Sequence, residues 1–232
     1  MKGYMNNTPK SLLLIKKQSL IYRIINILKL YGIRNIYITV GYKKEKIMQH
    51  LKKIKDIKIQ YIFVKNFKKT GSSYSWYLFK KKWLKKKQSV IMLHSDIYFD
   101  EKYIDKIVKS KRKNIIGSIK KKSLYIKKNG FIIKVDKKSK ILKIGHKKHF
   151  EKELSYQEIL CINKFSINTM KNILTYMRTY FQIYGKTHTW EYILNNFISE
   201  KKYKLFTIKS LNYFWHNINT PKEYNLAKKN IN

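Results

Sequence analysis

The stretch SVIMLHSDIYFD, residues 89–100, is the starting point for interpreting this chain. An apolar run from Val90 to Leu93 predicts a buried strand, and a short polar sequence ending at Asp96 follows it directly. Asp96 is one of only 13 acidic residues in a chain whose formal net charge is +40. A carboxylate that follows a buried strand is a suitable ligand for a hard cation. We therefore predict that Asp96 holds a metal ion.

Helices and strands alternate on the N-terminal side of this stretch. The segment SLIYRIINILKLYG (19–32) has apolar residues at helical spacing and ends at Gly32, where a left-handed helix cap is expected. NIYITVGY (35–42) and IKIQYIFV (57–64) are near-continuous apolar runs that are typical of buried strands. Such strands, alternating with helices, indicate a parallel sheet that is covered on both faces.

The C-terminal half adds a hairpin, a last strand of the sheet and further helices. Residues 123–145 contain two polar turns between short alternating strands, which predicts a β-hairpin excursion. QEILCINKF (157–165) returns to the sheet, and two helices are predicted over 166–184 and 188–199.

The segment TPKEYNLAKKNI (220–231) predicts a final helix with a capping box. Thr220 is at the N-cap, Pro221 is at the first helical position, and Glu223 follows three residues after the cap. The sequence as a whole predicts a single α/β domain over residues 1–232. Its expected architecture is a three-layer, open, mainly parallel, Rossmann-like sheet with a β-hairpin excursion and C-terminal helices.

The composition favours a packed cytoplasmic protein over a nucleic-acid-binding or membrane protein. The 53 basic residues are almost all lysines scattered along the chain, and only four are arginines, so we interpret them as solvated faces. No apolar stretch is long enough to predict a membrane span. The single cysteine, Cys161, has no partner for an internal disulfide, which favours a reducing compartment. A basic nucleic-acid-binding module stays open as an alternative function.

Three polar features follow successive predicted strands, at the edge where open parallel sheets bind ligands. They are Gly41 with Tyr42, the loop from Asn66 to Ser75, and Asp96. Each also has a purely structural interpretation: Gly41 as a turn residue with positive φ, and Asp96 as a turn or cap carboxylate. A zinc site is not expected at His94, because no second histidine lies at the spacing that zinc sites show.

These features, in this order, resemble the nucleotidyltransferase superfamily that acts on sugar phosphates and phosphocholine. The resemblance begins with TPKSLLLIKKQSLIYRIINILKLYGIRNIYITVGYKKEKIMQHL (8–51), which is similar to the N-terminal third of that superfamily. It continues through NFKKTGSSYSW, LHSDIYFD, SKILKIG and EILCINKFS to WHNINTPKEYNLA, so it covers nearly the whole chain. The collinear order of these motifs is more specific than any one of them.

The resemblance implies nucleotidyl transfer. In that reaction a nucleoside triphosphate, with CTP favoured, reacts with a phosphorylated acceptor such as a sugar 1-phosphate or phosphocholine. Lys10 would neutralise phosphate charge, while Asp96 and Asn219 would hold Mg²⁺. Gly41, Tyr42, Ser72 and Ser75 would bind the substrates. The products would be precursors of surface polysaccharide.

Two departures from the superfamily pattern lead to a second hypothesis. Members begin with a strand and a glycine-rich loop, and only seven residues precede Thr8 here. Asn219 occupies the position of a second metal-binding aspartate in the motif NINT. If the chain is not an active enzyme as it stands, it is either N-terminally truncated or an inactive remnant of the superfamily.

Four aromatic residues are a further candidate feature for the acceptor. An aromatic box for a quaternary ammonium group would use members of the set Tyr74, Trp76, Trp190 and Trp215. The alternative is that these large side chains pack in the core, as aromatic residues at helical or strand spacing usually do.

Overall fold

The computed structural model describes residues 8–83, 88–120, 130–146, 148, 150, 156–210 and 213–229. Its strands, in chain order, are β1 (Leu14–Ile15), β2 (Gln18–Ser19), β3 (Asn35–Val40), β4 (Lys58–Phe63), β5 (Val90–Leu93), β6 (Ile97–Phe99), β7 (Ile115–Ile119), β8 (Phe131–Val135), β9 (Ile141–His146), β10 (Gln157–Phe165), β11 (Phe206–Ser210) and β12 (Trp215–Asn217). Its α-helices are α1 (Leu20–Leu30), α2 (Lys44–Leu51), α3 (Ser72–Leu78), α4 (Lys80–Trp83), α5 (Lys102–Lys109), α6 (Ile167–Tyr184), α7 (Trp190–Glu200) and α8 (Pro221–Lys229).

The chain divides into two compact units, which we describe separately. Unit 1 consists of three segments, Met1–Lys65, His94–Val108 and Asn212–Asn232. Unit 2 consists of the two intervening segments, Asn66–Leu93 and Lys109–Leu211. Residues 1–7, the first seven of the chain, lie outside the described residues.

Unit 1 contains the parallel pair β3–β4 and two short antiparallel pairs, β1–β2 and β6–β12. Helix α1 shows how the local sequence determines where an element of unit 1 begins and ends. The hydroxyl of Ser19 accepts a hydrogen bond from the backbone N–H of Tyr22 at the start of the helix. At its end, Gly32 has a φ of 73°, and the N–H of Ile33 donates to the carbonyl of Leu28 at 3.0 Å. These contacts form the left-handed cap predicted for this helix.

The core of unit 1 has a cluster to which all three of its segments contribute. Its members are buried apolar side chains from the β1–β2 hairpin, β6 and the region around α8: Leu13, Ile15, Leu20, Tyr98, Ile218, Tyr224 and Ala227. Burying side chains of this size typically stabilises a fold by about 1.5–3 kcal/mol each. The hydroxyl of Tyr224 also donates to the carbonyl of Leu14 at 2.6 Å. This cluster therefore joins the three segments of unit 1.

Unit 2 is built on a six-stranded sheet with β10 at its centre. Strand β10 pairs antiparallel with β5, β7 and β8, while β8 pairs with β9 and β11 runs parallel to β7. The register of the β10–β7 ladder shifts between Ile159 and Asn163, and Cys161, which lies between these two residues, has a φ of 58°. Such a shift, with one residue in the left-handed region, is a β-bulge, and it lets one long strand serve several neighbours.

The predicted α/β class is confirmed, and the antiparallel pair β8–β9 confirms the hairpin excursion, of which residues 123–129 lie outside the described residues. The sheet is mixed rather than mainly parallel. Within the described residues, the parallel pairs are β3–β4 and β7–β11. The apolar runs predicted to be buried strands are buried only in part: β3 and β4 have one buried residue each, Val40 and Ile62, and every residue of β5 is half-buried, whereas β10 is buried except at Lys164. They carry no information on strand direction, so the antiparallel path of β10 was not predicted.

The aromatic-box hypothesis fails for the three tryptophans among its four residues, because all three are buried. The rings of Trp76 and Trp190 stack on each other with centroids 4.9 Å apart, and their side chains are 6% and 0% exposed. Trp215, in unit 1, is buried as well. These tryptophans pack in the core, which was the alternative, because large aromatic surfaces gain more from burial than from exposure.

Candidate functional site

The structure brings together three of the predicted site residues in unit 1. The ammonium Nζ of Lys10 lies 2.7 Å from Asn219 Oδ1 and 3.4 Å from Asp96 Oδ2. Each of these residues comes from a different segment of unit 1. The side chains of Lys10 and Asp96 are 36% and 23% exposed, so the cluster is accessible to a ligand.

The pairing of β6 with β12 explains why Asp96 and Asn219 meet. The two strands are antiparallel, and Asn217 is opposite Ile97. Asp96 precedes β6 and Asn219 follows β12, so the antiparallel arrangement brings the two residues to the same end of the pair. The N–H of Ile218 donates to the carbonyl of Asp96 at 2.9 Å, which continues the ladder towards the site.

Local hydrogen bonds and turns position the other two residues, Lys10 and Asn219. Lys10 begins a short 3₁₀ turn over Lys10–Leu12, after Pro9, and the hairpin that follows is anchored in the core cluster of unit 1. At the other side, Glu223 Oε2 accepts hydrogen bonds from the N–H groups of Asn219 and Thr220 at 2.7 and 2.9 Å. The N–H of Glu223 in turn donates to Thr220 Oγ1, so the predicted capping box is confirmed. Its extra bond to Asn219 was not predicted.

His94 is a fourth polar group at this site. Its Nδ1 lies 3.9 Å from Asp96 Oδ1, the carboxylate oxygen that does not face Lys10. In the described part of the chain, no three or more His, Cys, Asp and Glu side chains cluster closely enough to hold a metal ion. The oxygen donors around Lys10 are one carboxylate and one amide.

Gly41 and Tyr42 follow the carboxyl end of β3, as predicted. Gly41 is not in the left-handed region, because the described glycines with positive φ are Gly32 and Gly185. The left-handed residue of this turn is Lys43, with a φ of 49°. Tyr42 is 47% exposed and lies beside Lys43, whose Nζ is 5.8 Å from the ring centroid. A turn therefore follows β3 at Gly41, as predicted, but the positive φ predicted for Gly41 is wrong.

Ser72 and Ser75 lie on α3 in unit 2. The hydroxyl of Ser72 accepts a hydrogen bond from the backbone N–H of Trp190, the first residue of α7, at 3.3 Å. The neighbouring Ser73 is fully buried and donates to the carbonyl of His188 at 2.6 Å. A Cβ on Gly71 would overlap the backbone carbonyl oxygens of Thr187 and His188. The start of α3 thus holds the chain that leads into α7, and substrate binding by Ser72 and Ser75 stays a prediction.

Asp100 has a structural role. Its carboxylate Oδ1 accepts a hydrogen bond from the N–H of Lys102 at 3.0 Å, where α5 begins. This contact caps the helix. None of the helices in the described part of the chain is long and apolar enough to cross a membrane.

Solved structures share this fold. One is the CTP:phosphocholine cytidylyltransferase from Streptococcus pneumoniae, with a TM-score of 0.78, 17% sequence identity and coverage of 100% of this chain and 93% of that one. A second is the inositol-1-phosphate CTP transferase from T. maritima, with a TM-score of 0.76, 14% identity and coverage of 99% and 90%. A third, assigned as a glucose-1-phosphate thymidylyltransferase from Bacillus anthracis, has a TM-score of 0.79, 15% identity and coverage of 99% and 89%.

The sequence itself matches a family model. No curated protein gives a sequence match to this chain. The model described as nucleotidyl transferase matches residues 5–156, which is more than half of the chain and includes both Lys10 and Asp96. The chain belongs to the nucleotidyl transferase family.

Proposed function

We propose that this chain is an Mg²⁺-dependent nucleotidyltransferase that transfers a nucleoside monophosphate from a nucleoside triphosphate to a phosphorylated acceptor. The observation that carries the proposal is the convergence of Lys10, Asp96 and Asn219 in a member of the nucleotidyl transferase family. The second product is pyrophosphate. The reaction belongs in the cytoplasm, where its triphosphate substrates are made.

The chemistry requires little from the protein beyond position and charge. An oxygen of the acceptor phosphate forms a bond to the α-phosphorus, and the bond from that phosphorus to the oxygen bridging to the β-phosphate breaks. The electron pair of the broken bond leaves with pyrophosphate. Reactions of this kind are accelerated mainly by in-line positioning and by positive charge around the phosphates.

Lys10 supplies such a charge. Its ammonium carries three donors and its side chain is 36% exposed, so a phosphate oxygen can replace one of its present partners. The 3₁₀ turn and the hairpin anchored in the core restrict where its backbone can lie, which favours a defined approach to the phosphates.

Asp96 and Asn219 are the residues that would hold Mg²⁺. Both offer hard oxygen donors, and one cation, the Lys10 ammonium, already contacts both of them. This donor set suits Mg²⁺, which is usually held by one or two protein oxygens together with water and substrate phosphates. When bound, Mg²⁺ would neutralise phosphate charge and orient the triphosphate. The amide of Asn219 contributes no charge, so the affinity for the metal rests mainly on Asp96.

CTP and a small phosphorylated acceptor are the proposed substrates. Two of the structurally similar proteins are described as using CTP, with phosphocholine and inositol 1-phosphate as their acceptors. We propose that Gly41 and Tyr42, in unit 1, contribute to substrate binding. Ser72 and Ser75, in unit 2, are proposed as substrate-binding residues on the family resemblance alone. An activated product of this type would serve as a precursor of surface polysaccharide or lipid decoration.

The proposal is tested by measuring pyrophosphate release. The full chain is incubated with Mg²⁺ and each common nucleoside triphosphate against phosphocholine, inositol 1-phosphate and glucose 1-phosphate. We expect release with CTP that depends on one of these acceptors. Asp96→Ala should abolish the release, whereas Asp56→Ala, which removes a carboxylate that is 75% exposed, should leave it unchanged.

Two outcomes would favour the alternative functions. An inactive remnant would show neither pyrophosphate release nor an increase in melting temperature with nucleotide and excess Mg²⁺, because ligand binding stabilises a competent fold by mass action. A nucleic-acid-binding module would bind RNA or DNA tightly, with an affinity that falls steeply as the salt concentration rises.

A further inference from the structure

Lys10 occupies the position from which a cation contacts both oxygen donors of the site. Its Nζ is within hydrogen-bond distance of Asn219 Oδ1, at 2.7 Å, and within ion-pair distance of Asp96 Oδ2, at 3.4 Å. These are the oxygens that the proposed function assigns to a divalent ion. The ammonium therefore contacts the same ligand atoms that the metal would need.

The charges around these atoms oppose the binding of a free divalent ion. Asp96 and Lys10 carry one negative and one positive charge, so the pair has no net charge, and Asn219 is neutral. His94 lies on the other side of the Asp96 carboxylate, 3.9 Å from Oδ1, and adds no negative charge. A metal ion that arrives alone thus meets a carboxylate that is already paired, together with the repulsion of a nearby ammonium.

We infer that Lys10 is a built-in competitor of the divalent ion, which binds well only together with the nucleotide. This inference rests on the proposed function. The triphosphate offers Lys10 a stronger set of anionic acceptors than one carboxylate and one amide. When the ammonium moves to the phosphates, Asp96 and Asn219 are released for the metal. Binding coupled in this way is reciprocal, so the metal must also strengthen the binding of the nucleotide by the same factor.

The coupling follows from the chemistry of this particular donor set. A site with two carboxylates would keep a net negative charge beside one lysine, and it would attract a free divalent ion. Here one donor is an amide, so a single ammonium is sufficient to cancel the charge of the site. Lys10 is accordingly the residue that determines whether metal binds before the nucleotide or with it.

The direct test is the affinity for Mn²⁺ alone, followed by the loss of its free-ion EPR signal in the absence of nucleotide. Lys10→Met removes the ammonium, and Lys10→Gln serves as a second variant that keeps a hydrogen-bond donor without the charge. Both should bind Mn²⁺ at least about tenfold more tightly than the wild type, because the competing charge is gone. Lys29→Met is the matched control, since Lys29 also pairs with a carboxylate, that of Asp56 at 3.2 Å. Its Mn²⁺ affinity should equal that of the wild type.

A second arm adds a non-hydrolysable CTP analogue. In the wild type the analogue should strengthen Mn²⁺ binding, and the advantage of the Lys10 variants should disappear. The inference is overturned if the Lys10 variants bind Mn²⁺ alone no more tightly than the wild type, if Lys29→Met shows an equal gain, or if the gain persists undiminished with the analogue bound. If the wild type bound no nucleotide while the Lys10 variants still gained Mn²⁺ affinity, the proposed function would fail and the competition would stand.

Discussion

The amide oxygen of Asn219 accepts a hydrogen bond of 2.7 Å from the ammonium of Lys10, although 209 positions separate the two residues in the chain. Local structure fixes both partners. Lys10 begins a 3₁₀ turn, and the backbone N–H of Asn219 is bound by Glu223 at the start of α8. Asp96 joins them through the antiparallel pairing of β6 with β12. The site is therefore assembled from three short elements that are far apart in the sequence and that contact one another in the fold.

Asn219→Asp should increase the affinity for divalent ions. The substitution replaces a neutral oxygen donor with a carboxylate and gives the site a net negative charge even with Lys10 in place. We expect Mn²⁺ without nucleotide to bind about tenfold more tightly, measured by EPR titration. Asn35→Asp, at the exposed start of β3, makes the same chemical change elsewhere on unit 1 and should have no effect. An unchanged affinity in Asn219→Asp would argue against Asn219 as a metal ligand.

Glu223→Ala should destabilise unit 1 and disturb the site together. The variant loses the acceptor for the N–H groups of Asn219 and Thr220, and losing a helix-capping interaction typically costs about 1 kcal/mol of unfolding free energy. Urea unfolding measures that cost. Glu223→Gln keeps a side-chain oxygen acceptor and should lose less, while Glu45→Ala, in the exposed first turn of α2, should change stability by less than about 0.5 kcal/mol. Equal stability of Glu223→Ala and the wild type would contradict this role.

Gly71→Ala should destabilise unit 2. The added methyl group would overlap the backbone carbonyl oxygens of Thr187 and His188, and backbone atoms cannot move aside as a flexible side chain can. Overpacking of this kind costs about 1–3 kcal/mol, which urea unfolding would detect. The control is Ser75→Ala on the same helix, which should leave stability within about 0.5 kcal/mol. If Ser75 binds substrate, the same variant should also raise the KM for that substrate. A Gly71→Ala protein as stable as the wild type would mean that the chain leading into α7 can shift freely.

Tyr176 should make the protein sensitive to alkaline pH. Burial, aided by a hydrogen bond to Glu200, raises the pKa of the Tyr176 phenol above its ordinary value of 10.0. The folded chain therefore keeps this proton at a pH where the unfolded chain releases it. The resulting stability is fully present below about pH 10 and decreases as the pH rises further.

Urea unfolding at pH 9 and pH 11 tests this prediction. Tyr176→Phe has no proton to release at this position and should lose less stability between the two values than the wild type. Tyr42→Phe removes a tyrosine that is 47% exposed and should behave like the wild type. The same loss in Tyr176→Phe and in the wild type would show that Tyr176 does not contribute to the alkaline sensitivity.

Much of the fold could be predicted because its signals are local. The Gly32 cap, the capping box of α8 and the bounds of β10 all depend on residues within a few positions of each other. Helical spacing and apolar runs identified most helices and strands for the same reason. Strand direction is a long-range property, so the sequence did not predict that β10 runs antiparallel to three neighbours.

Asp96 was predicted from its position after an apolar run, whereas Lys10 and Asn219 were predicted only through the family resemblance. Nothing in the residues around Lys10 indicates that its ammonium reaches Asn219, because no local pattern encodes a contact over that separation. The three-residue strand β6 was missed, and with it the pairing that places Asp96 beside β12. The bond from Asn219 to Glu223 was also missed, since a capping box accounts for Glu223 without it.

The three-segment composition of unit 1 has a consequence for synthesis of the protein. Lys10 is synthesised first, Asp96 next, and Asn219 with helix α8 after both. The cluster around Lys10 therefore cannot form before residue 219 has been synthesised. A premature stop codon anywhere between Asp96 and Asn219 would leave Lys10 and Asp96 without their amide partner.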